Sequence, residues 1–390
     1  MKEGWEYKHI GDLCEVIAGQ SPEGKFYNSE GNGLPFYQGK KDFGEKFIEA
    51  PTSWTTQTTK VAREGDILMS VRAPVGPVNF AAEEICIGRG LAAIRSKGEL
   101  DREFLYYQLL HLQPKIAGKE GAVFASINKS EILALPIVFA PLPEQQRIVG
   151  ILDEAFEGIA IAKANAEKNL HNARALFESY LQAVFTQRGE GWTIKTLGEM
   201  AAFRNGINFT KSSKGEPIKI LGVKDFQSNY WAPLSDLDSI IPDGILSDTD
   251  TLQQNDIVFV RSNGNPELIG RCVLVSEIEE RTTYSGFTIR TRLNTSEVSA
   301  NYLCHFLKSD KVRREMIDGG NGVNIKSLNQ GTLSGLLIPY PSVACQHRIV
   351  EQLETLQEET QRLELIYQQK LAALDALKKS LLDQAFTGQL

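Results

Sequence analysis

The sequence predicts an α+β protein of two tandem domains, each a strongly twisted sheet with peripheral helices and each followed by a long helix. The two helices are expected to form an intramolecular antiparallel coiled coil that relates the halves by an approximate twofold axis. Three observations lead there. The 390-residue chain repeats itself along nearly its whole length. Short β-branched and aromatic runs bounded by Gly, Asn, Asp and Pro fill most of each repeat. Each repeat then closes on a helical pattern of about 40 residues, roughly 60 Å at about 1.5 Å per residue, longer than the side of a compact domain.

The repeat is read from ordered matches. Trp5, Lys8, Gly11 and Gly19 correspond to Trp192, Lys195, Gly198 and Gly206 at an offset of 187, and GKKDF at 39–43 returns as GVKDF at 222–226, offset by 183. Asp66 and Asp256 differ by 190, and Leu105 and Leu303 by 198. A drifting offset means loops of different length on one scaffold. From Ser126, Asn128 and Arg147, matched by Ser327, Asn329 and Arg348, the offset holds at 201 to the end. The boundaries that follow are globular domains at 1–142 and 188–341, with helices at 143–187 and 342–390.

Within the domains, LCEVIAG, LPFYQG, GDILMSV, GPVNFA and GLAAIRS, then IKILGV, NDIVFV, CVLVS and GFTIRTRL, read as strands. DREFLYYQLLHLQ and SANYLCHFLKSDKVRREMI each read as one helical piece, with apolar residues every third or fourth position. In both GxKDF copies the glycine supplies backbone freedom after a strand, Asp closes a turn and Phe enters the core. Lys41 and Lys224 are then placed to reach a phosphate.

In the second long helix a four-three spacing picks out Ile349, Leu353, Leu356, Leu363, Tyr367, Leu374, Leu377 and Leu381. The same places 201 residues earlier hold Ile148, Leu152, Ile159, Leu176 and Tyr180 among alanines. A small seam lets backbones approach while the larger seam fills the space. Pro143 suits a first helical turn, and Gly189 and Gly388 sit where helices stop.

Composition narrows the class without naming a function. With 42% hydrophobic and 23% charged residues the chain can bury two cores, and no apolar run reaches the length of a membrane span. MKEGWEYK lacks the apolar stretch of a signal peptide, so a cytoplasmic location is expected. Five scattered cysteines without a CxxC pair fit reduced core thiols. The net charge of −7 is evenly spread, so any surface for nucleic acid has to arise by clustering in three dimensions.

Catalytic signatures fail one after another. GQSPEGKF has the spacing of a phosphate-binding loop but puts Phe26 where a magnesium-holding hydroxyl is needed. Asp12 with Glu23 and Lys25 imitates a nuclease triplet that arises often by chance. Asn265-Pro266-Glu267 is the nearest approach to a base-flipping methyltransferase motif and lacks its aromatic residue. The histidines are scattered, and Asp236, Asp238, Asp243, Asp248 and Asp250 lack the alternation of a calcium loop, which makes them a solvated acidic stretch. No catalytic residue and no metal site is predicted.

Two dissimilar domains, each followed by a matching long helix with PLPEQQRIVGILDE at 141–154, a weaker copy PSVACQHRIVEQLE at 341–354, and the terminus LLDQAFTGQL, resemble the DNA-specificity subunits of type I restriction-modification enzymes. The second copy departs from the pattern at Ala344 and Cys345, where the first has Pro143 and Glu144. The resemblance implies that each globular domain is a target-recognition domain reading one half of an asymmetric two-part site in double-stranded DNA. It also implies that the helices act as spacer and as docking surface for two methyltransferase subunits, through which restriction and motor subunits join. S-adenosylmethionine, ATP and magnesium would then belong to the partner subunits, and this chain would bind none of them.

Base and phosphate contacts call for Arg, Lys, Asn or Gln near loop tips. The candidates are Gln20, Lys40, Lys41, Arg72, Arg89 and Lys129 in the first domain. In the second they are Lys211, Lys224, Arg261, Asn263, Asn324 and Lys326. Two rivals fit the same sequence: the specificity subunit of a methylase without a motor, and a coiled-coil scaffold that joins two proteins without touching DNA.

Overall fold

The computed structural model describes residues 4–117, 126–187, 191–210, 213–227, 229–318 and 327–390. The chain folds as two compact units, Met1–Glu167 with Gln368–Leu390, and Lys168–Tyr367. Each unit is therefore a globular domain with the start of the helix that follows it and the end of the other repeat's helix.

In the first unit, the central sheet is antiparallel in the order Cys14–Ala18, Leu91–Ser96, Ile67–Ser70, Val78–Phe80. The second unit repeats it as Ala201–Asn205, Thr288–Leu293, Ile257–Val260, Cys272–Leu274. A two-stranded ribbon accompanies each, Glu6–His9 with Pro136–Phe139 and Thr193–Thr196 with Leu337–Tyr340. In the remaining sheet Leu34–Tyr37 runs parallel to Ile85–Ile87, as Ile218–Leu221 does to Thr282–Tyr284. That sheet has five strands in the first unit and three in the second, so the repeats diverge there.

The repeated residues have structural work. A Cβ on Gly19 would lie 2.2 Å from the Gly88 carbonyl oxygen, and one on Gly206 2.2 Å from that of Ser285, so both strands need glycine at the crossing. Arg95 binds buried Asp66 through Nε at 2.8 Å and Nη2 at 2.7 Å, and Arg292 binds buried Asp256 through the same two atoms at 2.7 Å each. Asn128 and Asn329 cap the short helices Lys129–Leu133 and Gln330–Ser334. Both GxKDF segments are single 3-10 turns, Lys40–Asp42 and Val223–Asp225; Asp225 accepts the Gly222 N–H at 2.8 Å, and Phe226 is buried.

The predicted single helix after Ser299 is two helices, Ala300–Lys308 and Asp310–Asp318, parted at Ser309. The Ser309 hydroxyl donates to the Phe306 carbonyl at 2.7 Å and gives the chain an alternative to continuing the helix.

The long helices span Leu142–Thr186 and Val343–Thr387, starting at equivalent positions despite Ala344 and Cys345. A buried glutamine one residue further on sets the start. Gln145 Nε2 donates to Ala140 and Glu99 carbonyls at 2.7 and 3.0 Å, and its Oε1 accepts the Asp101 N–H at 2.8 Å. Gln346 makes the same three bonds to Pro341, Glu297 and Ser299 at 2.8, 2.7 and 2.8 Å. Gly388 has φ +78° and stops the second helix; Gly189 lies outside the described residues.

In each unit the two helical segments run antiparallel. Lys163 meets Asp375 and Arg147 reaches the Leu390 carbonyl in the first unit, while Arg174 meets Glu364 and Tyr180 meets Gln352 in the second. The helix ends complete the cores. Leu382, Ala385 and Phe386 join the first, with Phe386 edge-on to Phe104 at 5.4 Å; Leu181 and Phe185 join the second, with Phe185 edge-on to Phe306 at 5.2 Å.

The seam departs from its predicted course. Ile148, Leu152, Ile159, Ile349 and Leu353 are buried, and Tyr180, Leu356, Tyr367, Leu374 and Leu381 are half-buried. Leu176, Leu363 and Leu377 are 50%, 36% and 46% exposed, and the residues turned inward are Phe177, Glu364 and Lys378, each one position later. A strict seven-residue spacing drifts by about 20° per heptad against a straight helix of about 3.6 residues per turn, and over several heptads the inward position moves on by one.

Candidate nucleic-acid interface

The hydrogen-bonded frame at one end of the central sheet is the same in both units. The Gln20 N–H donates to the Ile87 carbonyl at 2.9 Å, as that of Ile207 does to Tyr284. Val71 donates to Gly90 and accepts from Ile127, as Arg261 donates to Phe287 and accepts from Leu328. Gly88 donates to Tyr37, as Ser285 does to Leu221. These bonds align the loops residue by residue.

In the first unit this frame carries a cleft of about 450 Å³ walled by Gln38, Lys40, Ser70, Arg72 and Arg89 with Gly39, Ala73 and Gly90. Three predicted candidates from three separate loops thus converge. Lys40, Arg72 and Arg89 are exposed, and among the described residues none of their side chains has an acidic partner. That contrasts with Arg95, held by Asp66. Gln20 borders the group, because the Arg89 N–H donates to the hydroxyl of neighbouring Ser21 at 3.3 Å. Lys129 opens the helix that follows Ile127, and Lys41 lies 3.7 Å from Asp42 on the outer side of the 3-10 turn. Uncompensated cations around a polar cleft favour an anion such as phosphate, and guanidinium forks also suit base edges.

On the second unit's equivalent frame the side chains differ. Val223 replaces Lys40, Val260 replaces Ser70, Ser262 replaces Arg72, and Gly286-Phe287 replaces Arg89-Gly90, while Gln38 has no counterpart. Phe287 is 60% exposed at the tip, and Arg261 beside it donates to the Gly286 carbonyl at 3.4 Å. The Asn263 side-chain oxygen accepts the Asn265 N–H of its own loop at 2.8 Å. Lys224 is paired with Asp238, which holds its ammonium above the ordinary lysine range. Lys211, Asn324 and Lys326 lie outside the described residues.

Sequence reading missed Gln38 and Phe287. The signal for Phe287 was present in aligning GRGLAAIRS with SGFTIRTRL at an offset of 197, which sets Phe287 against Gly90.

The remaining motifs resolve into local structure. Gly24–Phe26 is one 3-10 turn leading into the strand Tyr27–Asn28, and Lys25 pairs with Glu23 at 2.7 Å. Asn265 caps the turn Pro266–Leu268. Asp238, Asp248 and Asp250 pair with Lys224, Arg281 and Arg204. Cys14, Cys86, Cys272 and Cys304 are buried free thiols and Cys345 is half-buried. Among the described residues no group of three or more His, Cys, Asp or Glu could hold a metal ion, and no helix is long and apolar enough to cross a membrane.

The sequence family described as type I restriction modification DNA specificity domain matches residues 2–171 and 189–371. The MjaX specificity subunit described for a type I restriction enzyme of Methanocaldococcus jannaschii is 42% identical over 43% of this chain and 40% of its own length. The StySPI specificity subunit of Salmonella potsdam is 24% identical over 68% of this chain and 60% of its own length. The first of these matches thus spans less than half the relative's length. A chain from a structure concerned with complex assembly and conformational transition of the type I R-M system superposes with a TM-score of 0.79 at 17% identity, over 100% of this chain and 99% of that one. The HsdS subunit from Thermoanaerobacter tengcongensis gives 0.61 at 18% identity, over 100% and 98%.

Proposed function

The chain belongs to the type I restriction modification DNA specificity family, and from that premise we propose that it reads a two-part, asymmetric site in double-stranded DNA, one half with each repeat. The observation that carries this is the frame shared by the two units with unlike walls, Lys40, Arg72 and Arg89 on one and Val223, Ser262 and Phe287 on the other. Equal frames present loops to DNA in the same way, and unlike side chains let the two halves of the site differ. In the first unit the guanidinium groups of Arg72 and Arg89 would take base edges or phosphates and Lys40 a phosphate; in the second, Arg261 and Phe287 hold the corresponding tip.

On this reading the chain performs no chemistry. Two methyltransferase subunits dock on it, each flipping and methylating an adenine, and restriction subunits join through them. S-adenosylmethionine, ATP and magnesium stay with those partners, in the cytoplasm. The repeat fits two identical partners, because one chain then offers two equivalent surfaces.

The test is a gel shift of this chain mixed with its methyltransferase. Salt-sensitive binding confined to duplexes holding a two-part site supports the reading, and sequence-blind or absent binding sinks it in favour of a protein scaffold.

A further inference from the structure

The ion pairs between the long helices are equivalent in position and opposite in sign. In the first unit Lys163 Nζ lies 2.7 Å from Asp375 Oδ1; in the second Arg174 Nε lies 2.9 Å from Glu364 Oε2. With the constant offset of 201, Glu364 occupies in the second helix the place Lys163 has in the first, and Asp375 the place of Arg174. Both positions are cationic on the first helix and both anionic on the second.

The consequence lies in the pairings this forbids. The helix ends that enter the two cores are near copies, with Leu181 and Phe185 matching Leu382 and Phe386, so packing at the ends distinguishes the helices weakly. If the first helix met the first helix of a second copy in the same register, Lys163 would face Arg174 twice. Two second helices would set Glu364 against Asp375 twice. Size agrees with charge: buried Ala166 and Ala173 on the first helix correspond to Tyr367 and Leu374 on the second, so like pairs would be underfilled or overfilled.

We propose that Lys163, Arg174, Glu364 and Asp375 form a pairing code that joins the first helix to the second and rejects like-with-like exchange with another copy of this chain. Each half-exposed ion pair adds little to stability alone. Discrimination counts attraction in the allowed pairing and repulsion in the rejected one, and specificity rests on that difference.

The test uses the whole chain and measures mass by light scattering at low and high salt. In K163D/D375K the pair within the chain is kept with its signs exchanged, but like-with-like pairings become attractive. Dimers held by exchanged helices are expected to rise about tenfold over the unaltered chain and to fall again in high salt. R174E/D375K makes both internal pairs repulsive and both like pairings attractive, so dimers should predominate. Reversing all four residues restores the code and should restore the original mass. If K163D/D375K matches the unaltered chain, or the fourfold reversal matches R174E/D375K, the code is refuted. A merely stabilising ion pair predicts the first of those results.

Discussion

Arg95, on the strand Leu91–Ser96, grips Asp66 with two hydrogen bonds, and 197 residues on from that arginine, Arg292, on the strand Thr288–Leu293, grips Asp256 in the same way. Each aspartate also accepts a backbone N–H, from Arg63 at 2.8 Å and Gln253 at 2.7 Å. Removing the acid takes two hydrogen bonds from each guanidinium, leaving Arg95 with Glu15 at 3.3 Å and Arg292 with the Thr251 carbonyl at 3.1 Å, so Asp66→Ala and Asp256→Ala should each lower unfolding free energy by about 2–3 kcal/mol in urea titrations.

The glutamine at the start of each long helix fastens helix to domain with three hydrogen bonds. Gln145→Ala and Gln346→Ala strand buried partners and should each cost about 2–3 kcal/mol by the same titration. Glu144→Ala should change stability by under about 1 kcal/mol, in keeping with a second helix that starts normally with Cys345 at that place.

The corrected seam separates residues the heptad pattern treats alike. Leu353→Ala removes a fully buried side chain and should cost about 2–5 kcal/mol. Leu176→Gln, at an exposed position, should stay within about 0.5 kcal/mol in a thermal melt.

His305 is buried against Tyr230, with ring centroids 4.6 Å apart, and burial with nearby Lys308 pushes its pKa down to about 4. The imidazole is thus neutral when folded and takes a proton more readily when unfolded. Its contribution is fully present above pH 6.5 and is lost as pH falls toward 4. His305→Leu should reduce the acid-induced loss of unfolding free energy across that window by about 3 kcal/mol.

The unpaired cations of the first cleft predict a separation of binding from stability. Arg72→Ala and Arg89→Ala should each weaken DNA binding by about tenfold, and where the contact is to phosphate should lower the slope of log K against log salt by about 1. Thermal stability should stay within about 0.5 kcal/mol, since neither side chain has an acidic partner among the described residues.

Much of this was legible in the sequence because the repeat is a comparison with itself. Shared residues such as Gly19, Asp66 and Asn128 mark the scaffold, and all nine predicted strands form. The β-ribbons with Glu6–His9 and Thr193–Thr196 were missed because each strand pairs with one more than 120 residues away, which local pattern does not register. Ser309 broke a helix through a side-chain bond that periodicity ignores. The cleft required three loops to meet, so Lys40, Arg72 and Arg89 were found by residue type but their convergence was not. Asn263 and Lys224 also make local contacts, to the Asn265 N–H and to Asp238, that residue type alone does not show.

The most direct test of the proposal of one repeat for one half-site is sequencing of methylated adenines in cells that make this chain with a matching methyltransferase, unaltered or with Arg72 and Arg89 both replaced by alanine. The account predicts a two-part motif with an unread gap for the unaltered chain, and relaxation of one half alone, with gap and other half unchanged, in the variant. A single continuous motif, or equal relaxation of both halves, would contradict it.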